Sequence, residues 1–425
     1  MSSTDRSGAE KWECVARSNP QAQILQAMKG MKTLRSGRTG RNRRKWIYVL
    51  LFMGLLGLSG CGSPSSASTE TSSEATSEVT QAAEITQEEQ TELVKTGSME
   101  LQYAENFTVD YYEDGYKMLT TLPDSKRYLL VPEGQPVPRG LDEDVSILQE
   151  PLQNIYLVAS GVMDMFASLD AVDQIRFSGQ KQENWYIQTA KDAMAVGDMI
   201  YAGKYSKPDY ELLVSEGCDL AIENRMITHS PEVVEMLQSF DIPVMIEYSS
   251  YEQHPLGKVE WVKFFGALTG KEAEAEEAFA EQTEILEEVE SGEKTGKTIA
   301  FFYVTSNGLI QVRQSTDYIP KLIELAGGRY IFEDLEDSGS GRSTLNMQVE
   351  DFYAGAKDAD ILIYNSSIDG GVTTLDELIG KCNILKDFKA VQEGQVYCTT
   401  NDMYQQSMAI GYLLQDMHTV LTDDD

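Results

Sequence analysis

A chain of 425 residues with 68 Asp and Glu against 35 Lys and Arg has a formal charge of -33, and so negative a field repels phosphate backbones and excludes nucleic acid as a partner. The acid is unevenly spread: residues 1–61 hold 11 basic and 3 acidic side chains, leaving 24 basic against 65 acidic beyond Cys61. With 41% hydrophobic residues, the composition is that of a globular protein long enough to build two cores.

The first 61 residues read as an N-terminal extension followed by a leader, with Met28 and Met31 as alternative starts. Arg41, Arg43, Arg44 and Lys45 precede an apolar run at 46–58, too short for a mature membrane span but of the length of a signal peptide's apolar core. The run ends in Leu58-Ser59-Gly60-Cys61, which resembles a lipobox, in which the cysteine sulfur receives diacylglycerol. Cys61 is therefore the expected lipidation site. Residues 62–98 are Ser, Thr, Glu, Gln and Ala with hardly an aromatic; such a segment cannot bury enough apolar surface to offset its ordering entropy, and reads as a disordered tether.

The first lobe is expected over 99–255. It opens with a small antiparallel β meander, with strands at 100–103, 107–111, 116–122 and 128–131 and a hairpin turn at Glu113-Asp114-Gly115. From there short apolar runs at 155–159, 175–178, 219–222 and 243–247 alternate with helical segments at 162–169, 185–193, 209–215 and 231–240, the rhythm of a mainly parallel sheet. In such sheets ligands lie beyond the carboxyl ends of the strands. That rule points to Ser160 and Gly161, to Glu223, Asn224 and Arg225, and to Tyr248, Ser250 and Tyr251.

Residues 256–293 form a helical linker. An apolar ladder at Leu256, Val259, Val262, Phe265 and Leu268 draws one stripe down a helix that Gly270 stops. A second helix runs through Ala275, Phe279, Ile285, Leu286 and Val289. It is about 30 Å long at 1.5 Å per residue, enough to join two lobes. The second lobe, 294–425, has strand runs at 298–304, 361–364 and 396–399 and helices at 318–326 and 403–421, with Asn401 and Asp402 as expected caps of the last. The Gly- and Ser-rich stretch 338–343 reads as a loop able to close over a cleft. The fold class is thus α/β: two doubly wound lobes joined by a long interdomain helix, with a cleft between them for a small ligand.

Several phrases in this order resemble the substrate-binding lipoproteins of ABC importers for ferric siderophores, haem and cobalamin. They are Pro208-Asp209-Tyr210-Glu211 with Cys218-Asp219-Leu220-Ala221-Ile222, Ile242-Pro243-Val244, and Glu260-Trp261 with Gly266 and Gly270-Lys271-Glu272. Val349-Glu350-Asp351-Phe352 with Ala359-Asp360-Ile361-Leu362-Ile363, and 389–397, continue the series. The resemblance covers about 150–420. It implies a receptor, acting as a monomer, that captures an iron chelate or a corrin or porphyrin between its lobes and delivers it to a membrane permease, anchored outside the cytoplasm by its lipid. It also implies that Glu211 and Glu350 dock onto permease arginines, two anionic points that set register and speed encounter.

No family motif maps the ligand site. An anionic ferric complex wants guanidinium partners and a flat macrocycle wants aromatic faces. Arg225, Arg313, Arg342, Tyr201, Tyr205, Tyr251, Asn307 and Tyr404 are the candidates, each with the blander alternative of an ion pair or a packing role. No phosphate-cradling glycine loop and no GxSxG elbow is present, so neither a cofactor nor catalysis is expected. Two alternatives remain open: a zinc or manganese receptor using His229, His254 and Glu252, and a sensory lipoprotein uncoupled from transport. Cys382 and Cys398 either pair or stay as buried thiols.

Overall fold

The computed structural model describes residues 12–15, 25–30, 93–335, 343–368, 371–372 and 374–423. The apolar leader, Cys61, Arg342 and most of the loop 338–343 lie outside them. Among the described residues no helix is long and apolar enough to cross a membrane.

Two strands, β1 (Trp12–Val15) and β2 (Leu25–Gly30), pair antiparallel. The meander follows as a five-stranded sheet: β3 (Lys95–Ser98), β4 (Phe107–Tyr112), β5 (Lys117–Thr121), β6 (Lys126–Val131) and β7 (Val145–Gln149). β3 to β6 run antiparallel and β7 returns parallel to β6. The turn at Glu113–Gly115 has Asp114 at φ 57° and Gly115 at φ 84°, the left-handed pair that Asp-Gly suits. Two expectations shift here: β3 lies within the stretch read as tether, and the strand expected at 100–103 is absent. The N–H groups of Gln102, Tyr103 and Ala104 turn instead to the buried carboxylate of Glu260, at 2.8 to 3.1 Å, and those of Glu105 and Asn106 to Glu252, at 2.9 and 3.0 Å. A backbone whose donors face two carboxylates has none left for a ladder.

The first lobe contains β8 (Ile155–Leu157), α1 (Val162–Ser168), β9 (Ile175–Ser178), α2 (Gln188–Val196), β10 (Ile200–Tyr201), β11 (Gly203–Lys204), β12 (Lys207–Pro208), α3 (Tyr210–Ser215), β13 (Leu220–Asn224), α4 (Pro231–Ser239) and β14 (Val244–Glu247). Its sheet runs β10-β9-β8-β13-β14, parallel throughout. Period-2 alternation sends Ile155, Leu157, Leu220 and Ile222 to the face covered by α1, and Tyr156, Ala221 and Val244 to the face covered by α3 and α4. That is double winding.

Next come α5 (Pro255–Thr269) and α6 (Glu272–Glu290). Gly270, at φ 71°, ends α5 in the left-handed conformation. The chain then folds back, because Lys263 meets Glu276 at 2.9 Å and a Cβ on Gly266 would lie 2.6 Å from that of Ala275. The expected single stripe on α5 is too narrow a description, since every residue from Pro255 to Leu268 is buried. The meander covers one side of α5 with Phe107 against Trp261 and Phe264, while α6 and α1 cover others. α6, about 28 Å long, is the interdomain helix: it leaves α5 near Glu276 and reaches the second lobe at Glu281 and Gln282, which accept from Tyr412 and the Gly411 N–H at 2.5 and 2.9 Å.

The second lobe contains β15 (Thr298–Val304), β16 (Ile310–Arg313), α7 (Tyr318–Leu325), β17 (Arg329–Tyr330), β18 (Thr344–Met347), α8 (Val349–Ala356), β19 (Ile361–Tyr364), α9 (Leu375–Lys381), α10 (Lys389–Glu393), β20 (Val396–Thr399) and α11 (Ile410–Thr422). β20, β19 and β15 form a parallel centre, β16 and β18 extend it antiparallel, β17 joins β15, and β2 pairs with β20 on the other side. α7 and α11 cover one face and α8, α9 and α10 the other. One apolar cluster runs unbroken from the meander through α5 and α6 into both lobes.

The aspartates of the two recurring phrases have matching structural roles. Asp219 accepts from the N–H groups of Gln153 and Asn154, just before β8, at 2.9 and 2.8 Å. Asp360 accepts from the Thr298 N–H and hydroxyl at 2.7 and 2.8 Å, starting β15. Burial opposes ionisation of Asp360, but hydrogen bonds from Lys389 and Thr298 hold its pKa at about 2. Each carboxylate sets the register of its lobe's central strands. Cys382 and Cys398 are buried and carry thiols rather than a disulfide.

Candidate functional site

On the first lobe, the carboxyl ends of β13 and β14 bring Arg225 and Tyr251 together. The guanidinium carbon lies 4.4 Å from the Tyr251 ring centre, and Tyr248 packs edge-on at 6.5 Å. Tyr251 is 38% exposed, so this cation–π pair presents one open aromatic face at the rim. Tyr201 and Tyr205 are not part of the group. Tyr201 ends β10, with β9 and β8 between it and β13, about 14 Å at the usual strand spacing, and Tyr205 sits in the β11–β12 turn.

On the second lobe, Arg313 is a buried residue and not an open cleft cation. Its guanidinium lies 3.3 Å from Asp317 and donates to the Tyr404 hydroxyl, which also accepts from Asn365 at 2.6 Å. Phe301 and Tyr404 flank the charge at 5.7 Å. Burial disfavours the charged form, yet Asp317 and the neighbouring phenols hold Arg313 well above the ordinary arginine range, so it stays cationic. Asn307 is exposed in the β15–β16 turn, where its Oδ1 accepts from Thr305 at 2.6 Å, away from this group. Asn365 follows β19, and its place beside Arg313 depends on the neighbouring strands.

The helix expected at 403–421 begins only at Ile410. The preceding segment is held open by bonds to the first lobe: Gln405 accepts from the Tyr186 N–H and donates to the Asn184 carbonyl, both at 2.8 Å, and the Met408 N–H donates to Asp164 at 2.8 Å. Asn401 and Asp402 therefore do not cap the helix. Tyr404 is carried on this bridge between the lobes.

Beneath the bridge lies a buried seam of charge. Lys258, on the first turn of α5, is 4% exposed and its ammonium sits 4.8 Å from the Tyr318 ring centre. Burial pushes it down to about 8, while Glu247, Asp317 and Asp164 favour its charge and Arg313 opposes it. Burial raises the carboxyl of Asp164 to about 6, against the Met408 hydrogen bond and Lys258. Glu247 is also raised by burial, opposed by its bonds from the Ser249 N–H and hydroxyl at 2.9 and 2.5 Å. Composition and motif spacing gave no sign of this seam, whose members are scattered from 164 to 317.

Glu223, near the end of β13, is fully buried and neither oxygen has a hydrogen-bond partner among the described residues. Burial alone raises it from 4.5 to about 8, so it is a neutral acid under the α3 and α4 layer at neutral pH. Because the unfolded carboxyl ionises first, its contribution to stability is full below about pH 4.5 and is lost as pH rises toward 8. Glu223→Gln is expected to match wild type in unfolding free energy by urea denaturation near pH 4 and to exceed it by about 1–3 kcal/mol near pH 8; equal stability at both would contradict the burial argument.

A cavity of about 370 Å³ opens beside the seam, lined by Tyr103 and Glu105 of the meander, Gln253 and His254 before α5, and Ser315, Thr316, Asp317 and Lys321 of the second lobe. None of the seven ligand candidates among the described residues lines it. His254 stacks on Tyr103 at 4.4 Å and its Nδ1 accepts from the Leu256 N–H at 3.2 Å, capping α5, while Glu252 accepts from the Trp261 indole at 2.8 Å. His254 and Glu252 thus serve α5 and the meander, and the described residues contain no cluster of three groups able to hold a metal.

Glu211 and Glu350 are exposed, in the first turns of α3 and α8, the helices that lead into β13 and β19. Asp209 caps α3 by accepting from the Leu212 N–H at 3.1 Å. A helix feeding a parallel strand begins at that strand's carboxyl-end edge. Both glutamates accordingly stand on the rims.

Two doubly wound lobes and a helix crossing between them are the architecture of a two-lobed binding protein. The periplasmic binding protein family matches residues 157–403, more than half of the chain, and the chain belongs to that family, which binds ligands and is not enzymatic. An uncharacterized lipoprotein of Methanocaldococcus jannaschii is 24% identical over 351 residues, 76% of this chain and 81% of that protein. A second uncharacterized lipoprotein of that organism is 24% identical, covering 73% and 79%. Among solved structures, an ABC-type Fe3+-hydroxamate transport system protein from Saccharomonospora viridis aligns with TM-score 0.51 at 16% identity, over 64% of this chain and 94% of that one. The periplasmic haem-binding protein HutB of Vibrio cholerae aligns with TM-score 0.51 at 14% identity, over 63% and 98%. The petrobactin-binding protein YclQ of Bacillus subtilis does so with TM-score 0.51 at 14% identity, over 64% and 93%. At these identities the likeness is one of fold. The meander, at 95–149, precedes the family match.

Proposed function

We propose that this protein is the extracytoplasmic, lipid-anchored receptor of an ABC importer, which captures an iron chelate or a related metal-containing macrocycle between its lobes and passes it to a permease. The observation that carries the reading is the arginine joined to an exposed tyrosine at the rim of the first lobe, Arg225 with Tyr251, since guanidinium and aromatic groups together suit an anionic, partly aromatic chelate. The names of the structural neighbours, which include hydroxamate, haem and petrobactin proteins, favour the same class. Lipid attachment at Cys61 is supported by the basic, apolar and Leu-Ser-Gly-Cys order of the leader and by relatives named as lipoproteins. Cleavage there removes β1 and β2 and leaves β20 at the sheet edge, with the parallel centre intact.

Titration of the protein's tryptophan fluorescence with ferric hydroxamate, ferric catecholate, ferric citrate, haemin, cobalamin and zinc tests the reading. Saturable quenching by one chelate is expected, and Arg225→Ala should weaken it about tenfold or more by removing a charge-assisted contact at an exposed rim. Response to zinc alone, or to nothing in the series, would overturn the assignment.

A further inference from the structure

In the sheet of the first lobe β14 is an edge strand, and the meander meets it at two points. At the start of β14 the hydroxyl of Tyr128, on β6, donates to the Val244 carbonyl at 2.9 Å. Just past the end of β14, Tyr248 meets the β5–β6 turn at Asp124. Pro123 suits the second position of that turn, and Ser125 closes it at φ 56°. Asp124 Oδ1 accepts from the buried Thr121 hydroxyl at 2.6 Å and from the Lys126 N–H at 3.3 Å, so the turn itself fixes the carboxylate. Burial first, then the charge of Asp124 and a hydrogen bond to it, hold the Tyr248 phenol above its ordinary range, with Arg225 opposing them. From Tyr248 contact passes edge-on to Tyr251 at 6.5 Å, and from that ring to the Arg225 guanidinium at 4.4 Å. Tyr251 is exposed at the rim, so core packing does little to fix it. Tyr248, 6% exposed, is the buried ring against which it rests.

We propose that Asp124 is a positioning residue for the rim of the first lobe: it holds Tyr248, and through that ring the Tyr251 face and the arginine on it. The meander, which precedes the family match at 157–403, thereby sets the geometry of recognition in a lobe it only borders. That the rim meets a chelate rests on the receptor reading; that Asp124 sets the rings of the rim does not. What the relay needs at 124 is an acceptor held by the turn, so an uncharged acceptor of the same shape serves as well.

Fluorescence titration of the full-length protein with ferric hydroxamate, ferric catecholate, ferric citrate, haemin and cobalamin tests this. For the probe that quenches wild type, Asp124→Ala should weaken affinity about three- to tenfold, the worth of one hydrogen bond. Tyr248→Phe, which keeps the ring and removes the hydroxyl, should do the same, and it carries the affinity test should Asp124→Ala not fold. Asp124→Asn still accepts a hydrogen bond and should stay within about twofold of wild type. In a Tyr251→Ala background, Asp124→Ala should add less than about twofold, because residues acting through one another do not add. Nitration by tetranitromethane, read by peptide mass, gives a measure without ligand. Replacing Asp124 by Ala or Asn should speed modification of Tyr248 severalfold, since loss of the carboxylate charge favours the phenolate, and should leave Tyr201, on the opposite edge strand β10, unchanged. Unaltered affinity in both Asp124→Ala and Tyr248→Phe, full additivity with Tyr251→Ala, or unaltered nitration of Tyr248 overturns the proposal. Quenching that no Asp124 or Tyr248 substitution changes would leave the receptor standing and remove the positioning role. The nitration change without quenching by any of the five probes would do the reverse.

Discussion

Glu260→Ala is expected to lower the stability of the protein by about 3–5 kcal/mol, the largest effect of any single substitution considered. The Glu260 carboxylate is fully buried and accepts from three consecutive backbone N–H groups, those of Gln102, Tyr103 and Ala104. Removing it takes the acceptor from all three donors, that of Ala104 being buried, and leaves buried Lys263, 3.6 Å away, with the exposed partner Glu276. Unmet donors cost more than a lost bond returns, because they have also given up water. Glu252 makes a parallel clasp on Glu105 and Asn106, so the meander should loosen before the lobes unfold. Urea denaturation followed by tryptophan fluorescence, with limited proteolysis near residues 99–106, checks both parts. A change below about 1 kcal/mol would mean that the loop finds other acceptors at little cost.

Charge reversal at the rims is expected to separate transport from binding. In the proposed importer, Glu211→Arg with Glu350→Arg should reduce uptake of a bound chelate roughly a hundredfold or more, since two like-charge contacts against permease arginines cost several kcal/mol at a docking surface. Fluorescence-monitored affinity should stay within a factor of two or three of wild type. Both glutamates are exposed on helix first turns, so neither substitution touches the core, and the expected stability change is within about 0.5 kcal/mol. Equal loss of binding and uptake would place the glutamates in the ligand site; undiminished uptake would mean that they play no part in docking.

Much of the fold was legible because its signals are local. The runs at 175–178, 298–304, 361–364 and 396–399 became β9, β15, β19 and β20 with the same bounds, since short β-branched and aromatic runs between turn residues have few other uses. The Asp-Gly turn and the Gly270 stop followed from backbone conformations that glycine reaches easily. The strands β16, β17 and β18 escaped notice because partners distant in sequence, not their own pattern, make them strands. The stretch 100–103 failed for the opposite reason. It has strand composition, but its donors found carboxylates more than 140 residues away.

Of the candidate site, residue types proved easier to read than groupings. Arg225 and Tyr251 met as two strand ends, which the parallel pattern anticipates. Arg313 and Tyr404 met only because the expected start of the last helix is pulled open by Gln405 and Met408 bonding to the first lobe.

By itself the sequence determined the two-lobed α/β plan, the helical crossing and the net negative charge, because periodicity, turn chemistry and charge act over a few residues at a time. Tertiary structure alone decided which charges are buried and which partners they have. Lys258, Asp164 and Glu247 look like surface residues in the chain and become a water-poor seam only when α5 is enclosed on all sides, since the cost of a charge depends on what surrounds it in space.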